Sequence, residues 1–184
     1  MEENTLDTLI ASVRAYSMSH WKLGTLHGVY HWDCVAENAR ALYVPGVNLK
    51  VVLLFAYLHD AWRTNDRFDL EHGPRAAKEI VALRNTLLAC LTDEEFAQLQ
   101  RACDQHTAVQ RTGDLTVDTC FDADRLDLWR VANQPDPQRM ATAKGKELAE
   151  ANYMSPLRQQ HMKPIIKKDL LGFHEGDMAN SHPL

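Results

Sequence analysis

The sequence predicts an all-α fold, a single-domain helical bundle, and three observations predict it. Apolar residues recur at i, i+3, i+4 and i+7, as Val51, Leu54, Phe55 and Leu58 do, which is the spacing of one buried helix face. No stretch alternates convincingly with period two, as a half-buried strand would. Helix-start chemistry also stands ahead of two apolar runs, at Pro74 and at Thr92. With 184 residues, 45% of them hydrophobic and 24% charged, the chain is long enough to close one sizeable core.

The elements follow in order. A first helix is expected near 4–19 and a second near 29–44, where Val35, Ala39 and Leu42 continue a stripe after "HGVYHW". The third, near 47–63, carries the longest apolar run, Val51 to Leu58. The fourth, near 74–90, opens on Pro74, whose missing N–H costs nothing at a first helical position. Thr92 with Glu95 three residues on forms a capping box for the fifth, near 93–107. The sixth falls near 117–132. "NQPDPQ" at 133–138 is the Pro-rich break before a seventh near 138–152, and a C-terminal helix is expected around 156–171. There is no internal repeat, low-complexity tract or Gly/Ser linker. The motifs occupy about 20–132, leaving about 133–184 as a helical extension of the same domain.

Composition narrows the function. A net charge of -5 leaves no basic footprint for a phosphate backbone, so nucleic acid is not the expected partner. The run Val51 to Leu58 is far short of the roughly 20 residues that span a bilayer, and "MEENTLDTL" is acidic where a signal peptide would be basic. The expectation is a cytoplasmic protein with no membrane partner, and it admits a homodimer. Cys34, Cys90, Cys103 and Cys120 lie far apart with no C-x-x-C pair, which fits reduced, mostly buried thiols.

The polar residues are the informative ones. "YLHDAW" ends an apolar run by setting His59 beside Asp60, where burying either group without partners costs several kcal/mol. His27 and His31 are four apart and share a helix face or its approach. His72 precedes one helix, His106 ends another, and "DADRLD" supplies Asp122, Asp124 and Asp127. Adjacent helical residues project about 100° apart, so a neighbouring His and Asp can flank a single point and offer it nitrogen and oxygen. A divalent metal suits that point: imidazole with carboxylate favours Mn, Fe, Co, Ni or Zn over Ca or Mg alone, with Mg still possible. Other features carry ordinary readings. Asp122 and Asp127 read as helix-start or ion-pair carboxylates, and His161, His174 and His182 as solvent-facing. Trp21, Trp32, Trp62 and Trp129 read as core and pocket walls, because nothing basic interleaves them. "CDQH" lacks the second paired motif of a structural zinc site.

At this point the sequence resembles the HD superfamily of metal-dependent hydrolases, whose ordered signature is a histidine, a His-Asp dyad and a distant aspartate on a helical bundle. "HWDCVAENA" supplies His31, "LLFAYLHD" supplies His59 and Asp60, and "DADRLD" supplies Asp124. The resemblance implies that His31, His59, Asp60 and Asp124 share one metal shell. In the two-metal branch further histidines lie between dyad and final aspartate, which makes His72 and His106 candidates for a second ion or for gripping substrate.

The implied activity is hydrolysis of a nucleotide or other small phosphorylated metabolite, with one or two ions as cofactor. Related hydrolases place an acid one helical turn after the dyad to manage the attacking water. Here Arg63 occupies that turn and the nearest acid is Asp66. A planar guanidinium there suits a phosphate oxygen, so Arg63 is read as a clamp, with Arg75 and Arg125 adding to the pocket. His27 is read as bonding a ligand or substrate, and Asp60 as touching both metal and water. Two alternatives come with the resemblance: a mixed-valence diiron oxygenase, and a non-catalytic metal-binding sensor domain.

Overall fold

Asn48 starts the element around which the others pack. Its side chain accepts a hydrogen bond from the Val51 N–H, satisfying one of the N–H groups that every helix leaves free at its start. The helix that follows, α3 (Leu49–Leu58), is buried without interruption from Val51 to Leu58. A helix apolar on every side must be surrounded. It is: in this computed structural model, which describes residues 2–162, α3 packs against α1 (Glu2–His20), α2 (Val29–Ala41), α5 (Asp93–Gln105) and α6 (Leu115–Arg125). α4 (His72–Glu79) packs on α5, and α7 (Ala143–Glu150) touches α6. Among the described residues there is no strand, and no helix is long and apolar enough to cross a membrane. The fold is an all-α bundle.

The predicted capping box is present: the Thr92 hydroxyl accepts from the Glu95 N–H at 3.2 Å and the Glu95 carboxylate from the Thr92 N–H at 2.9 Å. Asp114 caps α6 and Thr142 caps α7. Most helices are shorter than their periodicity predicts. The stretch expected as a helix over 47–63 is regular only to Leu58, with His59 as its C-cap. The one expected over 74–90 begins at His72, so Pro74 stands third, still within the first turn where no N–H partner is lost, and it tightens into a 3-10 turn over Ile80–Leu83. The helix expected over 117–132 ends at Arg125 before a 3-10 turn at Leu128–Val131, and that expected over 138–152 begins only at Ala143. Residues 156–162 are helical; the rest of the expected C-terminal helix, His174 and His182 lie outside the described residues. Cys34, Cys103 and Cys120 are buried free thiols and Cys90 is an exposed one.

One glycine sets a distance that matters. A Cβ on Gly73 would lie 2.7 Å from the Cys103 carbonyl oxygen and 3.3 Å from the His106 ring. Its absence lets the start of α4 approach the end of α5.

Candidate metal centre

The apolar run of α3 ends on a cluster of side chains that answer the burial problem together. His31 comes from α2, His59 from the C-cap of α3, Asp60 from the turn after it, His72 from the first residue of α4, His106 from the C-cap of α5 and Asp124 from α6. His31 and His59 are fully buried, as Asp60, His72 and His106 nearly are. Five elements converge on a region only a few ångströms across.

Each imidazole is oriented through Nδ1. The His59 Nδ1 faces the Phe55 and Ala56 carbonyls at 3.1 and 3.2 Å, the His106 Nδ1 faces the Cys103 carbonyl at 2.8 Å, and the His72 Nδ1 faces the Asp69 carbonyl. His31 differs: its Nδ1 faces the Asp127 carboxylate at 2.7 Å. A carbonyl oxygen only accepts, so the Nδ1 opposite it carries the proton, which leaves Nε2 as a lone pair. Yet the Nε2 atoms face one another, His31 to His59 at 3.2 Å and His72 to His106 at 2.9 Å. At the His72–His106 contact both Nε2 atoms are lone pairs, which repel at that distance unless positive charge sits beside them; at the His31–His59 contact a protonated His31 can donate to His59. His59 and His106 do not supply that charge as protonated rings, since burial presses both down to about 4.

The carboxylates complete the picture. Asp60 divides its oxygens: Oδ2 lies 3.7 Å from the His31 Nε2 and 3.5 Å from the His59 Nε2, while Oδ1 lies 3.3 Å from the His72 Nε2. Asp124 Oδ1 lies 3.3 Å from the His31 Nε2, and it is buried with no hydrogen-bond partner. Burial opposes ionisation of Asp60 and Asp124, but the surrounding histidines, with Arg63 beside Asp60 and Arg130 beside Asp124, hold both below the usual carboxylate range. Burial also opposes charge on His31; its two carboxylate neighbours outweigh it and raise the ring. Both results express the same local field, negative potential converging on imidazole nitrogens. An orphaned carboxylate oxygen, opposed lone pairs and a mixed N/O donor set fit a cation. Among the described residues, His31, His59 and Asp124 form one group that could hold a metal ion, and His59, Asp60 and His106 another.

The remaining predicted residues divide. Arg63 and His27 flank the cluster; Arg75 and Arg125 are committed elsewhere. The Arg63 guanidinium donates to Asp60 Oδ1 at 3.2 Å and to the Asn65 and Arg67 carbonyls at 3.3 and 3.0 Å. The expected clamp is thus occupied in fixing Asp60. Arg75 forms a two-pronged pair with Asp69 and bonds the Trp62 carbonyl. Arg125 donates to the Val109, Gln110 and Arg139 carbonyls and lies over the Phe121 ring. Both arginines hold loops, because carbonyls left unpaired at helix ends take guanidinium donors readily. His27 Nδ1 and Asp66 Oδ1 stand 3.4 Å apart, both buried and without a hydrogen-bond partner, while Asp66 Oδ2 accepts from the Gly24 N–H. Burial keeps His27 neutral, down at about 4.

Arg130 and Arg158 were not singled out from sequence, and one role of Asp127 was missed. Asp127, read as an ion-pair carboxylate, is one, but it also orients His31; Arg158 holds it with both prongs, at 2.9 and 2.8 Å. Arg130 lies 3.6 Å from Asp124. The signal available was "DADRLDLWR", where Asp127 follows Asp124 by three residues and so shares its helical face, with Arg130 three further on. Asp122 holds the chain at Ala141 and Thr142 through three hydrogen bonds and lies 3.7 Å from the Arg125 guanidinium. No family model, no curated protein and no solved structure matches the chain.

Proposed function

We propose that the protein is a metal-dependent phosphohydrolase of the HD type, acting on a nucleotide or other small phosphorylated metabolite. The observation that carries the metal is the pair of opposed Nε2 contacts, each flanked by an oxygen of Asp60. His31, His59, Asp60 and Asp124 would hold one ion; His72 and His106, with the other Asp60 oxygen, would hold a second. A divalent ion there supplies Lewis acidity, lowering the pKa of water and polarising a phosphoryl oxygen. The chain does the rest. Arg63 keeps Asp60 aimed between the two histidine pairs, and Asp127 keeps the His31 Nε2 pointing inward. His27, buried and facing Asp66 beside His31, would contact substrate at the edge of the cluster. The buried surroundings strengthen each electrostatic contact.

The two histidine pairs around one carboxylate also favour a second reading, a mixed-valence diiron oxygenase. Elemental analysis followed by a phosphatase screen with Mn, Co, Ni, Mg and Fe added separately tests the first; an iron spectrum with dioxygen-dependent turnover would replace it with the second. His59→Ala and Asp60→Ala should each abolish stoichiometric metal binding, as both remove a ligand and leave buried partners unpaired. If either variant, folded by circular dichroism, keeps full metal content and activity, the dyad is structural.

A further inference from the structure

Beside the cluster lies a cavity of about 290 Å³ lined by Thr25, Leu26, Tyr30, Arg130, Arg158 and His161. Its two arginines differ. Arg158 gives both prongs to Asp127 and lies over the Tyr30 ring, so it has little left for a ligand. Arg130 is nine-tenths buried along its side chain, donates Nη1 to the Asp127 carbonyl at 3.1 Å, and leaves its buried Nε with no partner. Its carboxylate neighbour is Asp124, at 3.6 Å, beyond hydrogen-bond reach. Asp124 is also the aspartate assigned above to a cation. Once that cation takes its charge, Arg130 is left buried with unspent donors and no counter-charge, a state costly enough to require an anion.

We propose that Arg130 and this cavity form the subsite for an oxyanion of the substrate, a phosphoryl group on a small metabolite, and that its affinity is coupled to cation binding at Asp124. This deepens the phosphohydrolase reading and rests on it. The planar guanidinium fork matches two oxygens of one phosphoryl group. The Thr25 hydroxyl offers a further polar contact, and the Tyr30 ring and Leu26 offer apolar wall. A cavity of this size stands at the small end of ligand sites, which selects a compact metabolite. Coupling is reciprocal: cation at Asp124 strengthens anion at Arg130, and anion strengthens cation.

Calorimetric titration of inorganic phosphate into the Mn(II)-loaded and the chelator-treated protein tests this, with metal content measured in parallel. Phosphate should bind the loaded wild type, Arg130→Met should weaken it about tenfold or more, as expected for a lost bond to a charged group, and metal content should not change. Arg130→Lys, which keeps the charge and loses the fork, should fall between, and Thr25→Val, at an exposed position, should weaken binding several-fold. Undiminished phosphate affinity in Arg130→Met or Arg130→Lys overturns the subsite, as does loss of metal in Arg130→Met, which would make the residue a support for Asp124. A wild type that hydrolyses no phosphate ester yet binds phosphate through Arg130 retires the hydrolase and keeps the subsite. A hydrolase whose Arg130 variants bind phosphate normally does the reverse.

Discussion

Asp127 does for His31 what backbone carbonyls do for the other three imidazoles, and it does so with a full charge. A carboxylate behind a ligating histidine fixes the tautomer and raises the basicity of the opposite nitrogen, and losing such a partner typically costs about 10–100-fold in metal affinity. Asp127→Asn should therefore lower metal affinity by about that factor, measured by competition with a chelating dye, while the helical signal persists. An unchanged affinity would show that Asp127 only pairs with Arg158. Arg63 gives a second test at this scale. Because its guanidinium holds Asp60 Oδ1 and two loop carbonyls, Arg63→Ala should reduce metal occupancy as well as turnover. A variant with full metal content and a raised KM alone would return Arg63 to the role of phosphate clamp.

At the scale of elements, the cluster depends on helix ends meeting, and Gly73 governs one such meeting. A methyl group there would press on the Cys103 and Asp104 carbonyls and the His106 ring, pushing α4 off α5 and parting His72 from His106. Gly73→Ala should cost about 1–3 kcal/mol in denaturant unfolding, as overpacking does, and should lower the metal bound after anaerobic reconstitution in excess Fe(II) from near two per chain to near one. Retention of the wild-type count would assign His72 and His106 to structure. The same helix ends explain what was legible beforehand. The α3 stripe, the Thr92 capping box and the His59–Asp60 dyad are written within a few residues, so local pattern reveals them. The true end of α3 was not, because after Leu58 the chain bends to serve the cluster although the apolar pattern runs on to Trp62. The partners of the arginines were not legible for a related reason. Arg75 finds Asp69 six residues away, and Arg125 meets carbonyls of the 109–110 and 139 loops, pairings decided by how segments pack and not by spacing from the dyad.

For the whole molecule, gathering these groups ties stability to pH and would tie it to a bound cation. In the metal-free protein His27, His59 and His106 are held by burial down at about 4, whereas in the unfolded chain they titrate near 6.5. Between those values the unfolded state binds protons that the native state refuses, so stability rises with pH across the window. Each histidine contributes at most about 1.4 kcal/mol per pH unit. His31 has the opposite sign: raised by Asp124 and Asp127, its contribution is complete below about 6.5 and is lost as pH climbs through its folded value. Asp60, Asp124 and Asp127, all lowered, contribute above about 4 and lose that contribution as pH falls further. The chelator-treated protein should accordingly melt highest near pH 6.5 and lose Tm steadily toward pH 4.5, with a shallower decline on the alkaline side. Added Mn(II) at about 100 times its Kd should stabilise the fold by about 2.7 kcal/mol at pH 7.5, and this gain should shrink on acidification as protons compete for the imidazoles. Scanning calorimetry with and without chelator checks both limbs. A metal-free Tm that stays level from pH 6.5 to 4.5, or a Mn(II) effect that is independent of pH, would mean that these histidines are not held neutral together and that the cluster does not bind the cation through them.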